Sequence, residues 1–306
     1  MELLRSLLVL VALLAAPASA NCQQKIAGQP KGPYLGQSPP GMTPVVFSPG
    51  FISTGYGELN SVFTENGSEF YFSRRGMPGK PSAIMFTRME GGTWTVPQPV
   101  GFSGKNDDVD LFITPDGKSM IFCSGVAQPK GIRPHPDHDF RISRRSGTNW
   151  SDPVPFVPEA ASEYEDYYPV VTRSGNLYFN SQRAGRGTND IYCSKSVNGR
   201  YEKPEKLPGT INTPYREFDA YVTQDEKMII FSSDKPGGFG GADLYVSLKK
   251  ADGSWSEPRN LGEPVNSEFS EYGATITPDG RYLFFTSNRH ESEDIYWVSA
   301  RVLDAK

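Results

Sequence analysis

The chain has 306 residues, with 31 Lys and Arg against 35 Asp and Glu, a formal net charge of −4 at pH 7. That mildly acidic balance excludes the basic footprint of a nucleic-acid-binding surface. Frequent Gly, Pro and Tyr, and the lack of helix-period apolar patterns after the first twenty residues, exclude a helical bundle and point to one all-β domain of short strands and tight turns.

Residues 1–20 read as a secretory signal: Arg5 is the only basic side chain, 7–14 is an apolar core, and Ala18-Ser19-Ala20 is a small-residue cleavage site. The expectation is cleavage after Ala20 and a periplasmic or secreted product. The apolar run is too short for a convincing membrane span, so no transmembrane segment is expected after signal removal. Cys22 raises lipid attachment, but the residue before a lipidated Cys should be small and here it is Asn21, which argues against it. Residues 21–41 are rich in Gln, Pro and Gly and read as a flexible leader. The domain proper is expected over 42–306.

From residue 63 a hairpin pattern occurs five times. The clearest copy is Ile276-Thr277-Pro278-Asp279-Gly280-Arg281-Tyr282-Leu283-Phe284-Phe285-Thr286-Ser287, which reads strand, turn, strand. Pro sets φ, Asp bonds its own backbone and Gly permits positive φ. The other turns are Glu65-Asn66-Gly67, Pro115-Asp116-Gly117, Arg173-Ser174-Gly175 and Gln224-Asp225-Glu226. Anchored on the last turn residue, the copies lie about 50, 58, 51 and 54 residues apart, a period of propellers and solenoids. The second strand ends on Phe72, Phe122, Phe179, Phe231 and Phe285 and is apolar on both faces, as a strand packed between two sheets must be. A third strand starts Asp-Ile-Tyr or Asp-Leu-Tyr at 190, 243 and 294. An aromatic residue with Pro three later marks the fourth strand: Trp94/Pro97, Trp150/Pro153, Tyr201/Pro204 and Trp255/Pro258. Pro at that point suits an outer edge. The fifth repeat lacks a fourth strand, and 43–47 can supply it. Closure of the ring by an N-terminal strand removes exposed edges. The predicted fold is an all-β, five-bladed β-propeller with four antiparallel strands per blade.

The pattern Phe/Ile-Thr-Pro-Asp-Gly-x-x-Leu-x-Phe-x-Ser-x-Arg followed by Asp-Ile-Tyr resembles the WD40-like propeller repeat, found in the periplasmic propeller protein of the Tol system and in many exported bacterial proteins. The resemblance covers about 53–298. It implies the propeller fold; the repeat hosts scaffolds, ligand binders and some enzymes, so it does not assign an activity. The second copy departs most, lacking the Asp-Ile-Tyr start and carrying an insertion over 126–138.

Nine residues before each turn anchor stand Glu58, Asp108, Asp166, Glu217 and Glu271; eleven before stand Tyr56, Asn106, Tyr164, Tyr215 and Phe269. Equal parity lets both sets face one way at the start of the innermost strand, as a carboxylate ring with aromatic neighbours at one channel mouth. The competing reading is architectural: Arg75, Arg183, Lys235 and Arg289 follow the second strands and would pair with buried acids. Seven before the anchor, Asp110 and Asp219 add carboxylates expected to point with Asp108 and Glu217. His135, Asp137 and His138 in the insertion are candidate metal ligands, with a solvated loop as the default, since Pro134 and Pro136 exclude a helix. Cys123 and Cys193 are expected as separate thiols. No nucleophile elbow, phosphate loop or Cys-x-x-Cys is present, and no cofactor is indicated. The function expected is a non-catalytic exported binding or scaffold propeller engaging an envelope protein or glycan. The alternative is a glycosidase using Asp108, Asp110, Asp166 and Glu217.

Overall fold

A computed structural model describes residues 28–125, 138–156, 165–185, 187–290 and 292–304. The signal segment, Cys22, Tyr164, His135 and Asp137 lie outside them. The five repeats form five antiparallel sheets, each the blade of a propeller. The innermost strands are Gly57–Phe63, Asp107–Ile113, Asp166–Val171, Glu217–Val222 and Glu271–Ile276. Their partners in the second position are Glu69–Arg75, Ser119–Gly125, Leu177–Ser181, Met228–Ser233 and Tyr282–Ser287.

The turns between these strands form as their chemistry dictates. A Thr hydroxyl donates to the turn Asx in four blades: Thr64 to Asn66 at 2.9 Å, Thr114 to Asp116 at 2.6 Å, Thr223 to Asp225 and Thr277 to Asp279 at 2.7 Å. The anchor residue has positive φ in every copy, and Gly occupies it in four. Blade 4 has Glu226 there, at φ 56°. Its carboxylate accepts from Thr172, Asn176 and Tyr178 of blade 3, so contacts across the seam offset the backbone strain.

The second strands carry the core. Phe72, Phe122, Phe179, Phe231 and Phe285 are at most 1% exposed, and their flanking apolar residues are buried too. Each blade therefore presents apolar surface to both neighbours. Cys123 and Cys193 are free thiols on different strands.

The outer strand differs in detail from the expectation. The aromatic residue sits in a short hairpin with the third strand, as Thr93–Trp94 does with Ala83–Glu90. The chain breaks at the following Pro and resumes as a two-residue outer strand: Gln98–Pro99, Val154–Pro155, Glu205–Lys206 and Arg259–Asn260. Proline interrupts the ladder because it has no N–H to donate.

Blade 5 is closed by Val45–Val46, which pairs with Asp294–Ser299 in the register Val45 to Trp297. Phe47 follows, fully buried against Phe63, Phe70, Phe284 and Trp297. The described part of the expected leader is not free. Trp94 Nε1 donates to Gly32 O at 2.7 Å, Gln37 brackets Val46 and Ser48, and Ser299 N donates to Gly41 O. Leu35 is 4% exposed, and the Tyr34 ring packs on Phe63, Tyr282 and Trp297. Composition suggested a tether, but two apolar side chains are enough to dock this strap over the seam between blades 1 and 5.

Leu35→Ala should therefore cost about 2–5 kcal/mol in urea or thermal unfolding, as for other buried Leu truncations. A free leader would give no change. Phe47→Ala should cost about 3–5 kcal/mol by the same measurement.

Candidate functional site at the channel axis

The five acids nine before the anchor are all buried, between 0 and 2% exposed. Four of them, Glu58, Asp108, Glu217 and Glu271, pin the loop that enters their strand. Glu58 accepts from Thr54 N and Oγ1 at 3.0 and 2.6 Å, Glu217 from Thr213 at 2.7 and 2.6 Å, and Glu271 from Ser267 at 2.9 and 2.6 Å. The shorter Asp108 uses Ser103 Oγ at 2.7 Å. A Ser at the end of the second strand donates from the other side: Ser124 to Asp108, Ser233 to Glu217 and Ser287 to Glu271. Three acids also have a guanidinium partner: Arg74 with Glu58 at 2.9 Å, Arg183 with Asp166 at 3.2 Å and Arg289 with Glu271 at 3.0 Å.

The expected pairing of Lys235 with Glu217 does not form; the ammonium lies 4.1 Å from the Tyr245 ring centroid. Arg75 turns instead to Glu293. Burial pushes the Glu58, Asp108 and Glu217 carboxyls above the usual range, against the hydrogen bonds that hold them. These five carboxylates are inside the blades rather than open at the mouth. The aromatic residues two positions earlier are outside: Tyr56, Tyr215 and Phe269 are 41, 48 and 41% exposed.

Two residues beyond each acid the innermost strand changes direction. Asn60, Asp110, Tyr168, Asp219 and Gly273 all have positive φ, between 37 and 63°, and the pairing register shifts at each. A bulge of this kind re-aims a side chain and tolerates Asn, Asp and Gly best. Asp110 and Asp219 therefore do not point with Asp108 and Glu217, as unbroken alternation predicts; they turn into the channel. Tyr168 crosses it, and its hydroxyl donates to Ala274 O of blade 5 at 2.8 Å.

At the mouth where the innermost strands begin, residues from several blades converge on Asp110. His138 Nε2 lies 3.2 Å from Asp107 Oδ2, and its Nδ1 lies 3.1 Å from the Tyr167 hydroxyl. Gln182 donates to Glu165 at 3.0 Å. Arg75 and Tyr272 both bond Glu293. The repeat offset singled out Asp110, and the insertion singled out His138 as a candidate metal ligand, but Asp107, Glu165, Tyr167, Tyr272 and Glu293 were missed. Asp107 and Glu165 share an offset held by Gly57, Arg216 and Ser270 in the other copies, and Tyr167 and Tyr272 share one held by Leu59, Val109 and Phe218; that variation is a signal that separates them from architecture.

Electrostatics divides the acids here. The hydrogen bond from His138 holds Asp107 well below the usual carboxylate range. Burial works to lower the His138 pKa, but Asp107, Asp110 and Glu165 outweigh it and raise it. Burial pushes Asp110 up to about 6, with His138 and Arg75 opposing. Asp219 is raised further by burial and by the nearby Asp110 charge. His138, the described member of the expected metal set, is thus engaged by Asp107 and Tyr167. Among the described residues no three His, Cys, Asp or Glu side chains gather as metal ligands.

Two substitutions separate frame from channel. Glu271→Gln leaves the partly buried Arg289 without a counter-charge and should cost about 3–5 kcal/mol. Glu217→Gln, with no cation pairing it among the described residues, should cost only about 1–2 kcal/mol. Asp110 has the opposite sign. Its folded pKa is raised, so the native state pays for ionisation as pH rises from about 4 to about 6, and the full penalty stands above that. Asp110→Asn should be nearly neutral at pH 4 and stabilise by about 1–2 kcal/mol at pH 7.5, read from melting curves at both pH values.

Neither a protein-family model nor a curated protein matches the chain. Solved structures do. One described as a glycoside hydrolase is 13% identical, with 88% of this chain and 92% of that chain covered and a TM-score of 0.57. An α-L-arabinofuranosidase from Lactobacillus brevis is 12% identical, with 79% and 90% covered and a TM-score of 0.52. TolB from Acinetobacter baumannii is 15% identical with a TM-score of 0.49; the match covers 80% of this chain and 52% of that structure, about half its length. At these identities the likeness is one of fold: the chain is a five-bladed β-propeller.

Proposed function

We propose that the chain is an exported, non-catalytic binding propeller that holds an envelope glycan at the mouth where its innermost strands begin. The observation that carries this reading is the asymmetric polar cluster of Asp107, His138, Glu165, Arg75, Tyr272 and Glu293 on the propeller axis. An asymmetric ligand needs asymmetric contacts, and here different blades contribute side chains of different type. Exposed Tyr56, Tyr215 and Phe269 lie on the loops entering those strands, and aromatic faces next to hydroxyl-binding polar groups suit sugar rings. Tyr215 also lines a recess of about 460 Å³ with Asp190, Arg216 and Asp234.

A second reading is a glycosidase. It is favoured by the split between Asp107, held ionised, and Asp110, raised towards neutrality, since carboxyls pushed apart in pKa can divide base and acid roles. Fold likeness to hydrolases adds only an analogy. Against it, the Asp107 and Glu293 carboxylates are already bound by His138, Arg75 and Tyr272.

The test is to titrate envelope polysaccharide fractions against the wild type, Tyr215→Ala and Tyr272→Phe, and to assay each mixture for new reducing ends. The binding reading predicts saturable binding weakened about tenfold in either variant, without new reducing ends. Reducing ends made by the wild type and abolished in Asp110→Asn would establish the hydrolase instead. Absence of glycan binding would refute the proposal.

A further inference from the structure

Blade 2 breaks the repeat at its third strand. In blades 3, 4 and 5 a tyrosine faces the second-strand Phe across the ladder: Tyr192, Tyr245 and Tyr296. Each stacks on that Phe, with ring centroids 5.8 to 6.0 Å apart. In blade 2 the residue facing Phe122 is Arg141. Phe102, which follows the outer strand of blade 1, takes over the stacking on Phe122 at 5.0 Å. The Arg141 guanidinium is left over. Among the described residues it is the one half-buried arginine with no hydrogen bond or ion pair, and its N–H groups are not sealed from solvent.

Arg141 opens onto a pocket of about 190 Å³ at the seam between blades 1 and 2. Lys105 and Asn106, in the loop that enters the innermost strand just before Asp107, line it together with Phe102 and Phe122. Lys105 is exposed and has no ion pair among the described residues. Two carboxyls reach the pocket as well. Both Asp108 oxygens are taken, by Ser103 and Ser124, so Asp108 cannot serve Arg141 as Asp166 serves Arg183. Asp152 is exposed at the rim and pairs with neither cation among the described residues. A guanidinium presents its donors in a planar fork that matches a carboxylate. In blades 1, 3 and 5 a buried acid inside the blade meets that fork; in blade 2 the carboxylate can come only from solution. The pocket is smaller than the usual ligand site of about 300–1,000 Å³, so it suits one unit of a longer ligand. Its stacked phenyl rings beside two cations suit a sugar ring that carries an acid.

We propose that this pocket is a subsite for the carboxylate of an acidic sugar, a hexuronate, held by the Arg141 fork with Lys105 as the second positive charge. It extends the glycan site outward from Asp107 onto blade 2. That the carboxylate is carried by a sugar rests on the glycan reading; the demand for an anion rests on Arg141 and Lys105 alone.

The probes are methyl glucuronide, its neutral counterpart methyl glucoside, and acetate as the bare carboxylate, titrated at pH 7.5 and low salt while the Arg141 Nε–H signal is followed by NMR. The wild type should bind the glucuronide at one site and shift the Arg141 signal. It should bind the glucoside and acetate at least about tenfold more weakly, a difference of about 1.4 kcal/mol. Arg141→Tyr gives blade 2 the residue that blades 3, 4 and 5 have in this register, and Lys105→Gln changes an exposed side chain, so both should melt as the wild type does. Each should weaken glucuronide binding by a similar factor, whereas Asp152→Asn, which removes the open like charge at the rim, should tighten it. Equal affinity for the glucoside, an unmoved Arg141 signal, or unchanged glucuronide binding in Arg141→Tyr would overturn the proposal. Acetate binding as tightly as the glucuronide would overturn the sugar assignment. Envelope polysaccharide bound at the mouth with no glucuronide bound would sink this inference and leave the glycan reading standing; glucuronide bound at Arg141 with no polysaccharide bound would do the reverse.

Discussion

The structure depends on a carboxylate buried at the start of every innermost strand. A charge taken out of water must be satisfied on all sides. In blades 1, 4 and 5 satisfying it recruits the entry loop through a Thr or Ser four residues earlier, and in blades 2, 4 and 5 it recruits the end of the second strand through a Ser. Three blades also recruit an arginine. One side chain per repeat thereby fixes where a blade begins, how its loop enters and how its first two strands register. Because the acid is buried in every blade, the ring offers little to a ligand and serves as a frame.

What the frame holds still is the bulge two residues further on. Five left-handed residues face the axis, and there the repeats cease to be alike: Asn60, Asp110, Tyr168, Asp219, Gly273. Tyr168 is the least suited to that backbone and is held by its bond across the channel to Ala274. That bond separates the polar mouth from a cavity on the turn side, lined by Phe112, Tyr221 and Ile276 together with Arg173 and several Thr side chains, and Asp110 lines that cavity too. Burial in the narrow channel keeps Asp110 and Asp219 above their ordinary range, and the nearby Asp110 charge raises Asp219 further. Stability is given up at the axis and supplied by the apolar second strands and the strap over the closing seam.

The period, the hairpins, the doubly apolar second strand and the N-terminal closure were legible in the sequence because each is local and recurs five times. The acids were legible as a set, but their direction relative to the next position was not. Alternation holds only along an unbroken strand, and the bulge at Asp110 and Asp219 breaks it. The Asn, Asp and Gly at that offset were a usable hint of left-handed backbone. Pairing of Glu217 with Lys235 failed because sequence distance does not say that an aromatic face, Tyr245, is nearer to the ammonium. Residues 21–41 read as a tether on composition, since Leu35 and Tyr34 reveal their docking only once the seam they cover exists. The contact of His138 with Tyr167 joins blade 2 to blade 3, and no spacing rule reaches across that distance.

The division between frame and axis is sharpest at two adjacent residues. Asp108 is 2% exposed and bonded to Ser103 and Ser124, whereas the Asp107 side chain next to it is 47% exposed at the mouth. Carbodiimide coupling of the native protein to glycine ethyl ester, located by peptide mass spectrometry, reads both carboxyls in one experiment. The account predicts label on Asp107 and none on Asp108, Glu217 or Glu271 until the protein is unfolded. Label on Asp108, Glu217 and Glu271 in the native state would show an open acidic ring and contradict it.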